Sequence, residues 1–340
     1  MIRVGLAGYG LAGSAFHAPL IRAADRMELA AVLTSRDAPQ RVDSFDALLE
    51  RSDLVVIATP NSTHFHLAAA ALRAGKHVVV DKPFTVTVDQ ADRLISLAEE
   101  CGRTLTVFHN RRWDGDFLTV RKLMPRLAEI SLFEAHWDRF RPQIKQGWRE
   151  VPEAGSGVLA DLGPHLIDQA LQLFGMPQAI TADVAAQRAG AKVDDYFDLT
   201  LHYGSMRACL RCSTLVAEPL PRFAIHGSGG SFVKHGLDAQ EAALKRGADP
   251  RAADFGTDPH DGTLTRPDGT CEAVPTERGQ YLAFYQGVAD AILDGAPVPV
   301  DPRDARDGLL LIDLARRSSK LGQLLPVPDA SSTAASAPAS

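Results

Sequence analysis

A chain of 340 residues, 45% apolar and 23% charged, has the composition of a globular protein and exceeds one ordinary core, so two domains are expected. The formal net charge of −6 offers no basic excess to neutralise phosphates, which argues against a nucleic-acid partner, and the local basic groups (Arg111 and Arg112; Arg139, Arg141 and Lys145) suit a small anionic or polar ligand better. Apolar runs such as 67–72 fall far short of the ~20 residues of a membrane span. Met1 leads at once into a strand-like run with no signal peptide, so a cytoplasmic protein with reduced thiols is expected. Cys209 and Cys212 form a C-x-x-C without a second pair, inside a strand-like segment, and no metal is expected there.

In chain order, strands are expected at 2–7, 27–33, 54–58, 78–80 and 104–108, with helices at 12–23, 45–51, 63–73 and from 87 to about 101. Gly75 suits the left-handed position after a helix, and Thr87-Val88-Asp89-Gln90 spells a capping box. Strands alternating with helices predict an α/β, doubly wound Rossmann domain over about residues 1–120. Beyond it, strands at 130–137, 179–186, 197–203 and 207–213 and a hairpin at 223–233 predict an α+β domain over 121–325. Its sheet is expected to be large, mostly antiparallel and open-faced. The helices are expected at 164–174, 280–293 and 303–321, and residues 326–340, rich in Ala, Ser and Pro, are expected to be a disordered tail.

Gly8-Tyr9-Gly10-Leu11-Ala12-Gly13 follows the first strand and opens a helix. In that context Gly8 permits a tight turn, Gly10 admits a pyrophosphate to the backbone, and Gly13 lets the helix pack closely. Where the second strand ends, an acid would bind the ribose hydroxyl of NAD. This chain has Thr34-Ser35-Arg36-Asp37, and a hydroxyl with a guanidinium suits the 2′-phosphate of NADP. Asp37, one residue further, keeps NAD open as the less favoured cofactor.

Two more loops follow strand ends, Thr59-Pro60-Asn61-Ser62-Thr63-His64 and Asp81-Lys82-Pro83-Phe84. Further on, Asp161-Leu162-Gly163-Pro164-His165 is read with Pro164 in the first turn of a helix and Asp161 just before it. The helix dipole would then keep His165 neutral and able to act as a base. Oxidation of an alcohol needs such a base, and Lys82 can donate to the same oxygen while Asp161 fixes the histidine or a neighbouring hydroxyl. His64, His109, His136 and His202 are expected to be structural or peripheral, with His64 also a candidate to border the nicotinamide.

The GYG-x-x-G opening, the TPN-x-x-H loop, the DKP loop and the D-x-G-x-H segment resemble the glucose–fructose oxidoreductase/inositol dehydrogenase/rhizopine-catabolism family (Gfo/Idh/MocA). The resemblance spans nearly the whole chain, with Asp81 in place of the usual Glu. Segments 108–114, 138–142 and 148–150 resemble the branch that contains NADP-dependent scyllo-inositol dehydrogenases. The resemblance implies a Rossmann domain, a catalytic set of Lys82, Asp161 and His165, and homodimers or homotetramers. The open face of the second sheet is a candidate interface. The candidates to hold the cofactor are Gly8, Gly10, Gly13, Ser35, Arg36, Thr59, Pro60, Asn61, His64 and Lys82. Asn110, Arg112, Trp113, Asp138, Trp148, Arg149 and Asp168 are candidates for holding a polyol or sugar, with scyllo-inositol as first choice because a hydroxyl on every carbon needs polar partners all round. A redox-cycling lyase or glycosidase that keeps its NAD, and a non-catalytic ligand sensor, remain as alternatives on the same fold.

Overall fold

A computed structural model of the chain describes residues 1–144, 150–152 and 155–328. It divides into two compact units. One comprises Met1–Pro125, Gly236–Thr263 and Ala273–Leu309, and the other Arg126–His235, Leu264–Glu272 and the chain from Leu310 onward. This is a finer division than the single boundary near residue 120 read from the sequence. The later segments return to the first unit because Phe255, Tyr281, Phe284, Tyr285 and Val288 are buried in the same core as its sheet.

That sheet has six strands: β1 (Ile2–Ala7), β2 (Met27–Leu33), β3 (Arg41–Val42), β4 (Leu54–Ile57), β5 (His77–Asp81) and β6 (Leu105–Phe108). They run parallel in the order β3-β2-β1-β4-β5-β6. All residues of β4 are buried, which explains why the strand reads as an unbroken apolar run without alternation. The chain leaves the centre in opposite directions from β1 and β4, so a crevice opens at their carboxyl ends, where doubly wound sheets bind ligands. The helices of this unit are α1 (Ala18–Ala23), α2 (Phe45–Glu50), α3 (His64–Arg73) and α4 (Val88–Glu100). The starts of α2 and α4 are local: Ser44 Oγ accepts the Ala47 N–H at 3.1 Å and Thr87 Oγ1 the Gln90 N–H at 3.2 Å. The segment before α1, Ala12–His17, is π-helical, not the uniform α-helix expected from residue 12. Pro19, at the start of α1, has no N–H to give an i−4 carbonyl, and the wider turn accommodates that.

The remaining helices are α5 (Gly115–Leu127), α6 (Val158–Phe174), α7 (Gln240–Lys245), α8 (Leu282–Asp294) and α9 (Pro302–Leu321). The second sheet has nine strands: β7 (Ile130–His136), β8 (Ala179–Ala185), β9 (Tyr196–Tyr203), β10 (Met206–Ser213), β11 (Phe223–Gly227), β12 (Gly230–Lys234), β13 (Gly262–Thr265), β14 (Cys271–Val274) and β15 (Leu325–Pro326). Their order is β14-β13-β12-β11-β7-β10-β9-β8-β15, with β7 and β10 parallel amid antiparallel neighbours. α6 packs on β9 and β10, whose alternate residues Phe197, Leu199, Leu201, Ala208 and Leu210 are buried. The other alternates are polar and paired on their own face, Arg211 with Asp198 at 2.6 Å and His202 with Thr181 at 2.5 Å.

Three differences from the sequence reading have physical causes. β15 takes in Pro326, the first residue assigned to the tail, and order continues past it, because Val327 is buried and its N–H reaches the Gln178 carbonyl at 2.9 Å; residues 329–340 lie outside the described residues. β13 and β14 are short strands with few apolar alternations to betray them. α6 begins at Val158, six residues before Pro164, for a reason found in the site itself. Among the described residues no helix is long and apolar enough to cross a membrane, and no group of three His, Cys, Asp or Glu side chains is placed to hold a metal ion.

Candidate functional site

The glycine loop sits at the crevice. Gly8 has φ +96°, and a Cβ there would lie 2.4 Å from the Ala58 carbonyl oxygen, so no other residue fits without displacing β4. A Cβ on Gly13 would lie 2.1 Å from the Gly8 carbonyl oxygen, so the helical segment is pressed onto the loop itself. Gly10 faces open space. Two glycines thus shape a cradle and the third leaves its backbone bare, an arrangement that fits the pyrophosphate of a dinucleotide. Beside it, after β2, the Arg36 guanidinium lies 3.5 Å from the Tyr9 carbonyl, folded back over the glycine loop, while its N–H bonds Thr34 Oγ1 at 3.1 Å. Ser35 and Asp37 are exposed at the same turn.

The loops after β4 and β5 are joined by His64, which is 1% exposed. Its Nδ1 faces the Pro83 carbonyl at 2.9 Å and its Nε2 the Thr59 carbonyl at 3.0 Å. Both ring nitrogens are therefore engaged with backbone, and His64 is a strut between the Thr59–Thr63 turn and the Lys82-Pro83 segment. Asn61 is buried in that turn, and Pro60 is exposed. Lys82 is half-buried at the end of β5, its backbone N–H held by Asp81 Oδ1 at 2.8 Å, and the Lys82–Pro83 peptide is cis.

Residues 109–114 serve the interior of the first unit. Arg112, 6% exposed, pairs with Asp304 at 2.8 Å. Trp113 packs edge-on to Phe284, with centroids 5.7 Å apart, and Asn110 is 8% exposed. Arg111 donates to the Tyr281 hydroxyl at 2.6 Å and pairs with Asp114 and Glu241, while Tyr281 donates to Asp114 at 2.6 Å. Burial pushes the Asp114 carboxyl well up despite Arg111 beside it. Sequence reading took Asn110, Arg112 and Trp113 as candidates to hold a substrate. The partners that the structure gives this segment, Tyr281 for Arg111 and Asp304 for Arg112, lie 170 and 192 positions away and have no local signal.

In the second unit one face of α6 carries the candidate chemistry. Asp161, His165 and Asp168 stand at i, i+4 and i+7, and therefore on one side of the helix. Asp161 is half-buried, whereas His165 and Asp168 are 5% and 2% exposed. The His165 ring stacks on Trp137, with centroids 6.0 Å apart and planes 27° apart, and the Arg222 guanidinium lies 5.1 Å from the same indole. Arg222, itself buried, donates to Gln169 Oε1 at 2.5 Å, one turn beyond His165. Trp137, Gln169 and Arg222 were not singled out from the sequence; Gln169 at i+4 from His165 was the available signal. Asp161 lines a small open cleft of about 90 Å³ together with Arg139, Arg141, Arg188, Asp194 and Glu150. Arg188 is tied to Asp195 at 2.8 Å and to Glu150 at 2.7 Å. Asp138 uses one oxygen to accept the Ser213 N–H at 3.1 Å, securing the end of β10. Trp148 and Arg149, with Lys145, lie outside the described residues.

The start of α6 corrects the expectation for His165. Gly157, at φ +87°, precedes the helix, and Asp194 of the β8–β9 connection caps it. The Asp194 carbonyl accepts the Val158 N–H at 2.9 Å, and its Oδ2 accepts the Leu159 N–H at 2.6 Å. Pro164 is consequently inside the helix, Asp161 is in its first turn, and His165 is in the second, where the dipole has fallen off. The C-x-x-C cysteines fall on β10 as thiols, and burial pushes both upward, Cys212 furthest.

Comparison with known proteins gives the lineage. Residues 2–109 match the family model described as the oxidoreductase family's NAD-binding Rossmann fold, and residues 125–328 match the same family's C-terminal alpha/beta domain. The chain is 47% identical over 334 residues to the oxidoreductase YdgJ of Escherichia coli K12, covering 94% of this chain and 96% of the relative. It is 40% identical over 336 residues to the scyllo-inositol 2-dehydrogenase (NADP(+)) IolW of Bacillus subtilis 168, covering 94% of each. The solved structure of the oxidoreductase YPO2259 of Yersinia pestis superposes with a TM-score of 0.92 at 45% identity, covering 96% of this chain and 97% of that one. The chain belongs to the Gfo/Idh/MocA oxidoreductase family and is an NAD(P)-dependent dehydrogenase.

Proposed function

We propose that the protein oxidises a polyol hydroxyl with NADP, with scyllo-inositol as the first substrate to test. The observation that carries the reaction is the face of α6, where Asp161 and His165 stand one turn apart beside a cleft lined by arginines and carboxylates. A hydroxylated ring suits such a lining; an apolar alcohol does not. His165 takes the hydroxyl proton as general base and Lys82 donates to the developing alkoxide. Asp161, in the first turn of α6, orients the histidine or a neighbouring hydroxyl. Bound NADP supplies the hydride acceptor, and the backbone of Gly8, Gly10 and Gly13 would hold its pyrophosphate.

What supports NADP over NAD is the Arg36 guanidinium lying over the glycine loop beside the Thr34-Ser35 hydroxyls, with Asp37 as the competing feature. The relative IolW carries NADP in its name. The reading includes self-association through the polar face of β8–β10, which light scattering after gel filtration tests; a monomer at micromolar concentration refutes that part. The main test is kcat/KM on scyllo-inositol, myo-inositol, glucose and gluconate with each cofactor. Glucose or gluconate outrunning both inositols overturns the substrate, and a preference for NAD overturns the cofactor.

A further inference from the structure

Behind the Lys82 segment the first unit buries a polar chain to which the roles above give no task. His17, the last residue of the π-helical turn after the glycine loop, is fully buried and tilted against Phe108, with ring centroids 4.4 Å apart. Its Nδ1 lies 2.6 Å from the hydroxyl of Tyr285 on α8, also fully buried. On the opposite side Nε2 lies 3.8 Å from Asp81 Oδ2, an electrostatic contact longer than a direct hydrogen bond. The other Asp81 oxygen accepts the backbone N–H of Lys82 at 2.8 Å. Phenol, imidazole and carboxylate therefore run in sequence from the core to the backbone of Lys82.

The protonation of the members is consistent along the chain. Burial pushes the Tyr285 hydroxyl well up, with the Asp81 charge adding to it, so the phenol keeps its proton. If the phenol donates to Nδ1, the proton that His17 turns toward Asp81 is the one on Nε2. Burial alone would raise the Asp81 carboxyl, but His17, then Lys82 and His64, outweigh it and hold the group below the usual carboxylate range. An ionised acceptor thus takes the Lys82 N–H on one oxygen and lies within electrostatic reach of the imidazole on the other. Three polar groups in a core otherwise built from Phe84, Phe108 and Phe284 carry a desolvation cost that apolar residues of similar size would avoid.

We propose that Tyr285, His17 and Asp81 are positioning residues that hold the Lys82 backbone, and through it the lysine amine, at the carboxyl edge of the sheet. The inference rests on the reading of Lys82 as the donor to the substrate oxygen. Tyr285→Phe removes one oxygen and keeps the ring. His17→Phe keeps ring packing and removes both nitrogens, while His17→Gln retains an amide donor in place of Nε2. Amide hydrogen exchange over 81–84 needs no substrate, and turnover is read with NADP and the best polyol of the panel above. Both Phe variants are expected to speed exchange at Lys82 and to lower kcat by about tenfold, the weight of one hydrogen bond. KM for NADP and Tm stay near wild type, and His17→Gln recovers most of both losses.

Wild-type exchange in Tyr285→Phe and His17→Phe overturns the proposal. A parallel fall in turnover, NADP affinity and Tm also overturns it, because that marks a purely structural role. If His17→Phe does not fold, Tyr285→Phe decides. Lys82→Met separates the two readings. Full turnover in that variant removes the catalytic role of Lys82 and with it the purpose of the chain behind it. A slow Lys82→Met beside a fast His17→Phe removes only the positioning role.

Discussion

Asp194 determines where α6 begins, and replacing it separates the cap from the charge. Its backbone carbonyl holds the Val158 N–H and its carboxylate the Leu159 N–H, at 2.9 and 2.6 Å. Asp194→Ala leaves the first bond and removes the second. A lost N-terminal cap costs about 1 kcal/mol, rising to about 2 at the upper end seen in folded proteins. In a unit of this size each kcal/mol lowers Tm by about 2–4 °C, so the Ala variant is expected to melt about 2–8 °C below wild type. Asp161 shares that first turn, and its fraying is expected to lower kcat several-fold. Asp194→Asn keeps an acceptor oxygen of the same shape and is expected to lose less than about 0.5 kcal/mol.

The pH dependence has a definite sign. Burial raises the Asp194 carboxyl above its ordinary value, against the Leu159 N–H and the Arg316 charge that lower it. The folded chain then holds this proton more tightly than the unfolded one. The contribution is fully present below the unfolded value of about 4 and is lost as pH rises through the raised folded value. Urea unfolding at pH about 4 and about 8 is the assay, with the stability of wild type relative to Asp194→Asn falling between the two. An Ala variant as stable as wild type, or an Asn variant as unstable as Ala, refutes the capping argument.

Three further outcomes are expected. Arg36→Ala should weaken NADP by about 10- to 150-fold, the weight of a hydrogen bond to a charged group, and leave NAD nearly unchanged; fluorescence titration with both cofactors checks it, and equal losses refute it. Gly13→Ala places a Cβ 2.1 Å from the Gly8 carbonyl oxygen and should weaken both cofactors by at least about tenfold, because the cradle must open; unchanged affinity in the same titration refutes the close approach. His165→Ala should lower kcat by about 10²–10⁴-fold and abolish the acid limb of the pH–rate profile, and Lys82→Met should do at least as much damage while cofactor binding persists; near wild-type turnover in either removes the role assigned to it.

The first unit could be read from the chain because its signals are local. Buried parallel strands are short apolar runs, Ser44 and Thr87 cap their helices from three residues away, and Gly8 must adopt a positive φ wherever such a loop turns. The Gly-x-Gly-x-x-Gly spacing, Lys82 at a strand end, and Asp161 with His165 at i and i+4 were all present in the sequence for the same reason. Each lies within one turn or one loop.

Tertiary structure decided what depends on residues far apart. Pro164 looks like the first turn of a helix, yet α6 starts at Val158 because Asp194, 35 positions from Leu159, supplies the missing acceptor. Arg112 pairs with Asp304, 192 positions on, a partner that no local window shows. His17 lies in the segment 12–23 expected to be a helix, and only the folding of α8 onto the first core brings Tyr285 to its ring, 268 positions away. A buried polar group must find its partner wherever the chain provides one, and no local window contains that partner.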